Sequence, residues 1–122
     1  ENKILICHGS GYLPFYAGRA DITYLGRPAS RGRARKKPSD YMSRFYYDTV
    51  FYNPDMLEFL VKKVGHGKFM MGTDYTHFMK TWDAVEFATK AAGLTKAAKA
   101  DILHKMPQSC SRLHFKRIPA AF

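Results

Sequence analysis

Three short runs of apolar and aromatic residues have the length and composition of β-strands. They occupy residues 3–7, 45–50 and 68–71. The first run is continuously apolar, which is typical of a strand that is buried on both faces of a parallel sheet. The second is rich in aromatic and β-branched residues, which favour extended backbone. We therefore predict three strands, each of which ends in a glycine-containing or polar turn.

The segment between the second and third strands has the clearest helical pattern. Asn53 suits the N-cap and Pro54 the first helical position, while Gly65 provides a C-terminal stop. Apolar residues between them recur at helical spacing. We therefore predict a helix over residues 54–64.

Weaker signals of the same kind predict five other helical segments. The aromatic segment 12–24 begins as a helix, and a short helix capped by Ser39 or Asp40 ends near residue 45. Further helices are predicted over 82–92, from a cap at Thr95 to about 105, and, with a tail, in 108–122. Strands that alternate with helices predict βαβ units, and hence one α/β domain with a parallel sheet over residues 1–122.

The basic residues of the chain are unevenly distributed. The formal net charge is +10, from 20 basic and 10 acidic residues. Residues 27–37 hold six of the basic residues and no acid. The rest of the chain therefore has 14 basic and 10 acidic residues and is only mildly basic. This basic loop leaves open a module that binds nucleic acid or another polyanion. The aromatic residues are not interleaved with the charges, however, and we therefore do not favour nucleic acid as a partner.

Cysteine content and the apolar pattern limit the cellular location. Cys7 and Cys110 do not form a disulfide framework, so we predict a reduced, cytoplasmic protein. No apolar run approaches the roughly 20 residues that a membrane span requires, so no membrane partner is predicted. The first residues lack the layout of a signal peptide, and they lack an initiator Met. We therefore expect an internal piece of a longer chain.

Polar side chains lie at or near the ends of all three predicted strands. His8 follows the first strand, Asp48 lies near the end of the second, and Asp74 follows the third. The carboxyl ends of parallel strands meet at one edge of a sheet, where catalytic groups collect. His8 could instead bond a turn, and Asp74 could cap a loop. Cys7 lies on the opposite strand face from His8, and we expect it to be a small buried group.

The chain has no other local motif that specifies chemistry. No two histidines are separated by one residue or by three, the spacings of common metal-ligand pairs. There is no Walker-type phosphate loop, no Gly-x-Ser-x-Gly elbow and no zinc-finger cysteine pattern.

Three spaced motifs resemble the amidohydrolase-related decarboxylases, a family that includes aminocarboxymuconate-semialdehyde and resorcylate-type decarboxylases. They are His-Gly-Ser-Gly-Tyr-Leu-Pro-Phe at 8–15, Phe-Tyr-Tyr-Asp-Thr at 45–49 with Asn-Pro-Asp at 53–55, and Met-Gly-Thr-Asp-Tyr at 71–75. The likeness extends over roughly residues 4–113. It implies the C-terminal part, about strands six to eight, of a (β/α)8 barrel that is incomplete in this chain.

The resemblance also implies roles for individual residues. His8 matches the family's catalytic histidine, Asp74 matches a ligand of the divalent metal, usually zinc, and Arg19 matches an arginine that holds a substrate carboxylate in a neighbouring subunit's site. Asp48 matches a common acid of the family to which we assign no role. The implied substrate is a small carboxylated aromatic or unsaturated molecule. The implied activity is that of a decarboxylase or hydrolase, and family membership favours decarboxylation over hydration or hydrolysis.

The chain also departs from the family pattern. The His-x-His metal pair of the first strand and the histidine of the fifth are missing, so this chain alone is predicted to be inactive and unable to hold zinc. A complementing chain or a homo-oligomer would have to supply them and cover the open sheet edges. Ser10 replaces a glycine, Thr76 replaces a proline, and residues 107–110 differ from the usual pattern. A non-catalytic α/β remnant is therefore the alternative, beside the basic binding module.

Overall fold

A computed structural model describes residues 3–105, and these form a small parallel sheet with helices packed against it. The elements are β1 (Leu5–Ile6), α1 (Leu13–Gly26), α2 (Pro38–Tyr41), β2 (Tyr46–Asp48), α3 (Pro54–Val64), β3 (Phe69–Met70), α4 (Ala84–Lys90) and α5 (Lys96–Ala100). Short 3-10 turns lie at His8–Ser10, Pro28–Arg31, Met42–Arg44 and His66–Lys68, and a π-helical turn, Asp101–Lys105, continues α5. The predicted α/β class is confirmed. The predicted helix and tail over 108–122, Cys110 and the departure at 107–110 lie outside the described residues.

The central strand β2 organises the sheet. The strand order is β1-β2-β3 and both pairs are parallel, with Leu5 opposite Tyr46 and Tyr47 opposite Phe69. Tyr47 and Phe69 are fully buried, and their rings stack with centroids 5.5 Å apart. The three predicted strands and their parallel order are thus confirmed, although each strand is shorter than its apolar run.

The core lies between the sheet and the helices. It is formed by buried residues of the sheet and of all the longer elements: Ala17, Met42, Tyr47, Leu57, Leu60, Phe69, Ala88, Ala91, Leu94, Ala98 and Ile102. Most of its helical members are alanine and leucine.

The prediction that β1 is buried on both faces was wrong. Ile4 is 52% exposed and Leu5 is 44% exposed. Cys7, which was expected to be buried, is exposed as well. The reason is that β1 is the outermost strand of the described sheet and pairs only with β2. An apolar strand with a free edge is a surface that another strand or chain can cover.

Helix α3 follows its sequence signals closely. The Asn53 side chain accepts a hydrogen bond from the Asp55 N–H at 2.9 Å, and the helix ends at Gly65, whose φ is +87°. Leu57 and Leu60 lie on its buried face. Local capping chemistry was sufficient to predict this element.

The other helices differ from the prediction mainly at their ends. Helix α1 is longer than expected and continues to Gly26. Helix α4 begins at Ala84 instead of Trp82, because the Thr81 hydroxyl accepts a hydrogen bond from the Asp83 N–H and forms a turn there. Thr95 caps α5 as predicted, by accepting from the Ala98 N–H at 3.1 Å.

Helix α2 is held from a distant part of the chain. The prediction that Ser39 or Asp40 caps this helix was wrong. The N-cap residue is Lys37, and its side chain makes no capping hydrogen bond. Instead the Asp21 carboxylate on α1 accepts from the Ser39 N–H at 2.9 Å and from the Ser39 hydroxyl at 2.6 Å. These hydrogen bonds, with the nearby Lys37 charge, hold the pKa of Asp21 below its ordinary value of 3.8. Asp21 therefore joins α1 to α2.

None of the helices formed by residues 3–105 is long and apolar enough to cross a membrane.

We predict that Asp21→Asn lowers the thermal unfolding midpoint at neutral pH, because the amide loses the charge and one acceptor oxygen. A carboxylate whose pKa is lowered by folding stabilises the fold above its unfolded pKa, and this contribution is lost as the pH falls through the folded value. The difference between wild type and Asp21→Asn should therefore shrink below about pH 4. The measurement is thermal unfolding by circular dichroism between pH 2.5 and 7.

Asp40→Asn is the matched control. Asp40 is more exposed and its carboxylate lies 3.9 Å from the Lys37 ammonium, a contact that contributes little in water. Equal effects of the two substitutions would contradict the role of Asp21.

Candidate active site

His8 and Asp74 meet at the carboxyl edge of the sheet. His8 directly follows the bend after β1, and Asp74 lies in the loop after β3. The His8 Nε2 atom is 3.5 Å from Asp74 Oδ1, which is longer than a short hydrogen bond. The His8 side chain is 66% exposed, whereas that of Asp74 is 17% exposed. The structure thus brings two of the predicted site residues together and leaves the imidazole open to a ligand.

Two further residues approach the second oxygen of Asp74. The Tyr52 hydroxyl donates to Asp74 Oδ2 at 3.4 Å, and His77 Nδ1 lies 3.6 Å from the same oxygen. Partial burial, together with the negative charge of Asp74, raises the pKa of Tyr52. Neither residue was among the predicted site residues. The position of His77, three residues after Asp74, was the available signal, whereas nothing in the sequence distinguished Tyr52.

Asp48 holds the loop that carries His8. Its carboxylate accepts from the His8 N–H and the Gly9 N–H, each at 2.9 Å, and from the Val50 N–H at 3.1 Å. The side chain is directed into the protein, and Asp48 is only 8% exposed. In this structure Asp48 therefore acts on the backbone beneath His8, which is the role of a positioning residue.

The backbone around the site is held in uncommon conformations. His8, Tyr52 and Asp74 all have positive φ, at 55°, 56° and 56°. Residues other than glycine adopt this region rarely, and such strain collects at functional sites. Gly9 also has φ +55°, and the Phe51 ring occupies the space that a Cβ atom at position 9 would need. The packing of Phe51 against Gly9 thus restrains the backbone of the turn that carries His8.

Arg19 lies away from His8 and Asp74. It is exposed on α1, six residues and about 9 Å of helix from the start of that element. Its side chain has no hydrogen-bond or ion-pair partner within residues 3–105. The structure does not bring it into the site of its own chain, and its expected role in a neighbouring subunit's site stays a prediction.

The described residues do not form a complete metal site. Within residues 3–105 no group of three or more His, Cys, Asp or Glu side chains is arranged to hold a metal ion. A catalytic zinc requires about three protein ligands, and Asp74 would supply one of them. The donors among residues 3–105 therefore do not fit a zinc ion by themselves.

Comparison with curated proteins supports the family resemblance over part of the chain. No family model matches. The chain is 32% identical over 74 residues to the 2-amino-3-carboxymuconate-6-semialdehyde decarboxylase of Dictyostelium discoideum, and 30% identical over 74 residues to the Caenorhabditis elegans protein of the same name. Each match covers 60% of this chain but only 21% and 18% of the relative. The chain thus spans about a fifth of the length of the curated relatives it matches.

Comparison with solved structures extends over almost the whole described fold. The 5-carboxyvanillate decarboxylase of Sphingomonas paucimobilis matches with a TM-score of 0.77 and 24% identity, covering 90% of this chain and 33% of that one. A dihydroxybenzoic acid decarboxylase of Polaromonas sp. JS666, solved with bound manganese and 2-nitroresorcinol, matches with a TM-score of 0.75 and 21% identity, covering 91% and 34%. The 2,6-dihydroxybenzoate decarboxylase complexed with 2,6-dihydroxybenzoate has a TM-score of 0.72.

The matched fold thus corresponds to about one third of the length of each of these solved chains. The resemblance to the amidohydrolase-related decarboxylases, predicted from the three motifs, is confirmed for part of this chain.

We predict that Asp48→Ala destabilises the fold by about 3 kcal/mol, because three backbone N–H groups lose their acceptor and a cavity remains. Asp48→Asn should cost less, since its amide keeps one oxygen. Asp83→Ala is the control, because Asp83 is exposed and its side chain does not cap α4. Urea unfolding followed by circular dichroism measures all three, and a loss for Asp48→Ala no larger than for Asp83→Ala would contradict the role of Asp48.

Proposed function

We propose that this chain forms the C-terminal part, about strands six to eight, of the (β/α)8 barrel of a metal-dependent decarboxylase. The substrate would be a small carboxylated aromatic or unsaturated molecule. The observation that carries the proposal is the convergence of His8 and Asp74 at the carboxyl edge of a sheet whose fold matches known decarboxylases. In α/β barrels this edge is the catalytic face.

In this proposal His8 transfers the proton. Decarboxylation breaks the bond between the carboxylate group and the substrate carbon that carries it. CO2 leaves, and a proton takes its place on that substrate carbon. An imidazole titrates near neutral pH and can donate that proton. The exposure of the His8 side chain supports this assignment, as does its nearby carboxylate, Asp74. Asp48 would act by fixing the loop beneath the imidazole.

Asp74 is the proposed metal ligand of this chain. The remaining ligands would come from another part of the protein, another chain or another copy, and this chain alone would be inactive. We predict zinc, while the manganese bound to the Polaromonas enzyme makes a different divalent ion the alternative. Because the described residues hold no complete ligand set, we assign no reaction step to the metal.

Arg19 is proposed to hold the substrate carboxylate in the site of a neighbouring subunit. Its guanidinium is exposed, and a planar fork of N–H donors matches a carboxylate. This role requires an oligomer or a complementing chain. A cytoplasmic location remains our prediction from the sequence.

A chimera tests this function directly. We would replace the C-terminal third of the Polaromonas dihydroxybenzoic acid decarboxylase with this chain, then measure bound metal and CO2 release from dihydroxybenzoate. We expect His8→Ala to keep the metal and to lose roughly 10²–10⁴-fold in rate, whereas Asp74→Ala should lose the metal. His104→Ala, which removes an exposed histidine of α5's π-helical extension, is the matched control and should retain full activity.

Circular dichroism and metal content show whether the chimera is folded and loaded. A folded, loaded chimera that releases no CO2 would favour the alternative, a non-catalytic α/β remnant. Equal losses for His8→Ala and His104→Ala would contradict the catalytic role of His8.

A further inference from the structure

A cleft lies at the opposite end of the sheet from His8 and Asp74. Its walls are α2 and the turn Met42–Arg44, which precede β2, and the last turn of α3, which precedes β3. It therefore opens at the amino ends of the strands. Its volume is about 580 Å³, which is within the usual range for a site that binds a small molecule.

The cleft carries two lysines without a paired carboxylate. Lys36 and Lys63 both line it, and within residues 3–105 neither forms an ion pair. The Lys63 ammonium lies 5.3 Å from the centroid of the Phe59 ring, which is a cation–π distance. Asp40 is the acid in the lining, and its carboxylate lies 3.9 Å from the Lys37 ammonium. The cleft thus presents an excess of positive charge.

The basic loop beside the cleft is fixed at its N-terminal side by Arg31. The Arg31 guanidinium donates through Nε to the Tyr24 carbonyl at 2.8 Å and lies 5.0 Å from the Tyr24 ring centroid. The predicted basic loop over 27–37 therefore contains an ordered turn, Pro28–Arg31, near its start.

The C-terminal side of the loop is fixed at Tyr41 of α2. The Tyr41 hydroxyl accepts from the Arg35 N–H and the Lys36 N–H, each at 3.1 Å. Arg33, Arg35 and Lys36 are exposed between these two anchors, and their side chains have no ion-pair partner in the described part of the chain. Positive charges held together on a fixed loop attract a multivalent anion without a large ordering cost.

We propose that this cleft binds a small oligophosphate through Lys36 and Lys63, with the Ser43 hydroxyl as a further donor. Lysine ammonium groups and serine hydroxyls are common phosphate contacts. No aromatic side chain is among the described residues that line the cleft, so bases have no stacking surface there, and this favours a small oligophosphate over single-stranded nucleic acid. The site is independent of the proposed decarboxylase reaction.

Isothermal titration calorimetry of the full chain with inorganic tripolyphosphate tests the site. We expect saturable binding at one ligand per chain, which weakens as salt shortens the screening length below about 8 Å. Lys36→Ala and Lys63→Ala should each weaken binding roughly tenfold, because each removes a charge-assisted contact. Lys96→Ala removes an exposed lysine of α5, outside the cleft, and should leave the affinity within about twofold.

Two further ligands identify the source of the phosphates. Adenosine triphosphate bound as tightly as tripolyphosphate supports a site for the free oligophosphate, because the adenosine then adds nothing. Adenosine triphosphate bound more tightly supports the same site with a nucleotide as the source of the phosphates. Three results would overturn the proposal: no saturable binding, equal losses for Lys96→Ala and Lys63→Ala, or a single-stranded RNA that binds much more tightly per phosphate. Circular dichroism of each variant excludes unfolding as the cause of lost binding.

Discussion

The carboxylate of Asp48 is the interaction on which the arrangement of the candidate site depends. It lies at the end of the central strand and accepts hydrogen bonds from three backbone N–H groups, two of which belong to His8 and Gly9. A buried carboxylate is stable only when its oxygens have donors, and a strained turn is stable only when its backbone groups are paired. Here the backbone N–H groups of the turn are the donors for the carboxylate, and the carboxylate is their acceptor. As a result His8 is held beside Asp74 although β1 itself is a short, half-exposed edge strand.

Features set by neighbouring residues were predictable from the sequence. The helix between Asn53 and Gly65 has the bounds expected from its caps, and the apolar runs marked all three strands. The proximity of His8 and Asp74 followed from one rule, that parallel strands end at the same edge of a sheet. These predictions needed no knowledge of which distant segments pack together.

Features set by distant contacts were not predictable. Asp21 supports α2 from 18 residues away, and Tyr52 reaches Asp74 across 22 residues, so no local spacing indicated either contact. Cys7 was expected to be buried because an apolar strand usually lies inside a sheet, whereas here β1 is the outer strand. The role of Asp48 became visible only when its three donors were located.

If this chain supplies only part of a metal site, native mass spectrometry after incubation with zinc or manganese will show which species holds the metal. The monomeric chain is expected to retain no stoichiometric metal, since its described residues offer Asp74 without two further ligands. Metal should appear only in a larger assembly that adds ligands, and it should disappear from that assembly with Asp74→Ala. One tightly bound metal ion in the monomeric chain would show instead that the chain holds a complete metal site by itself.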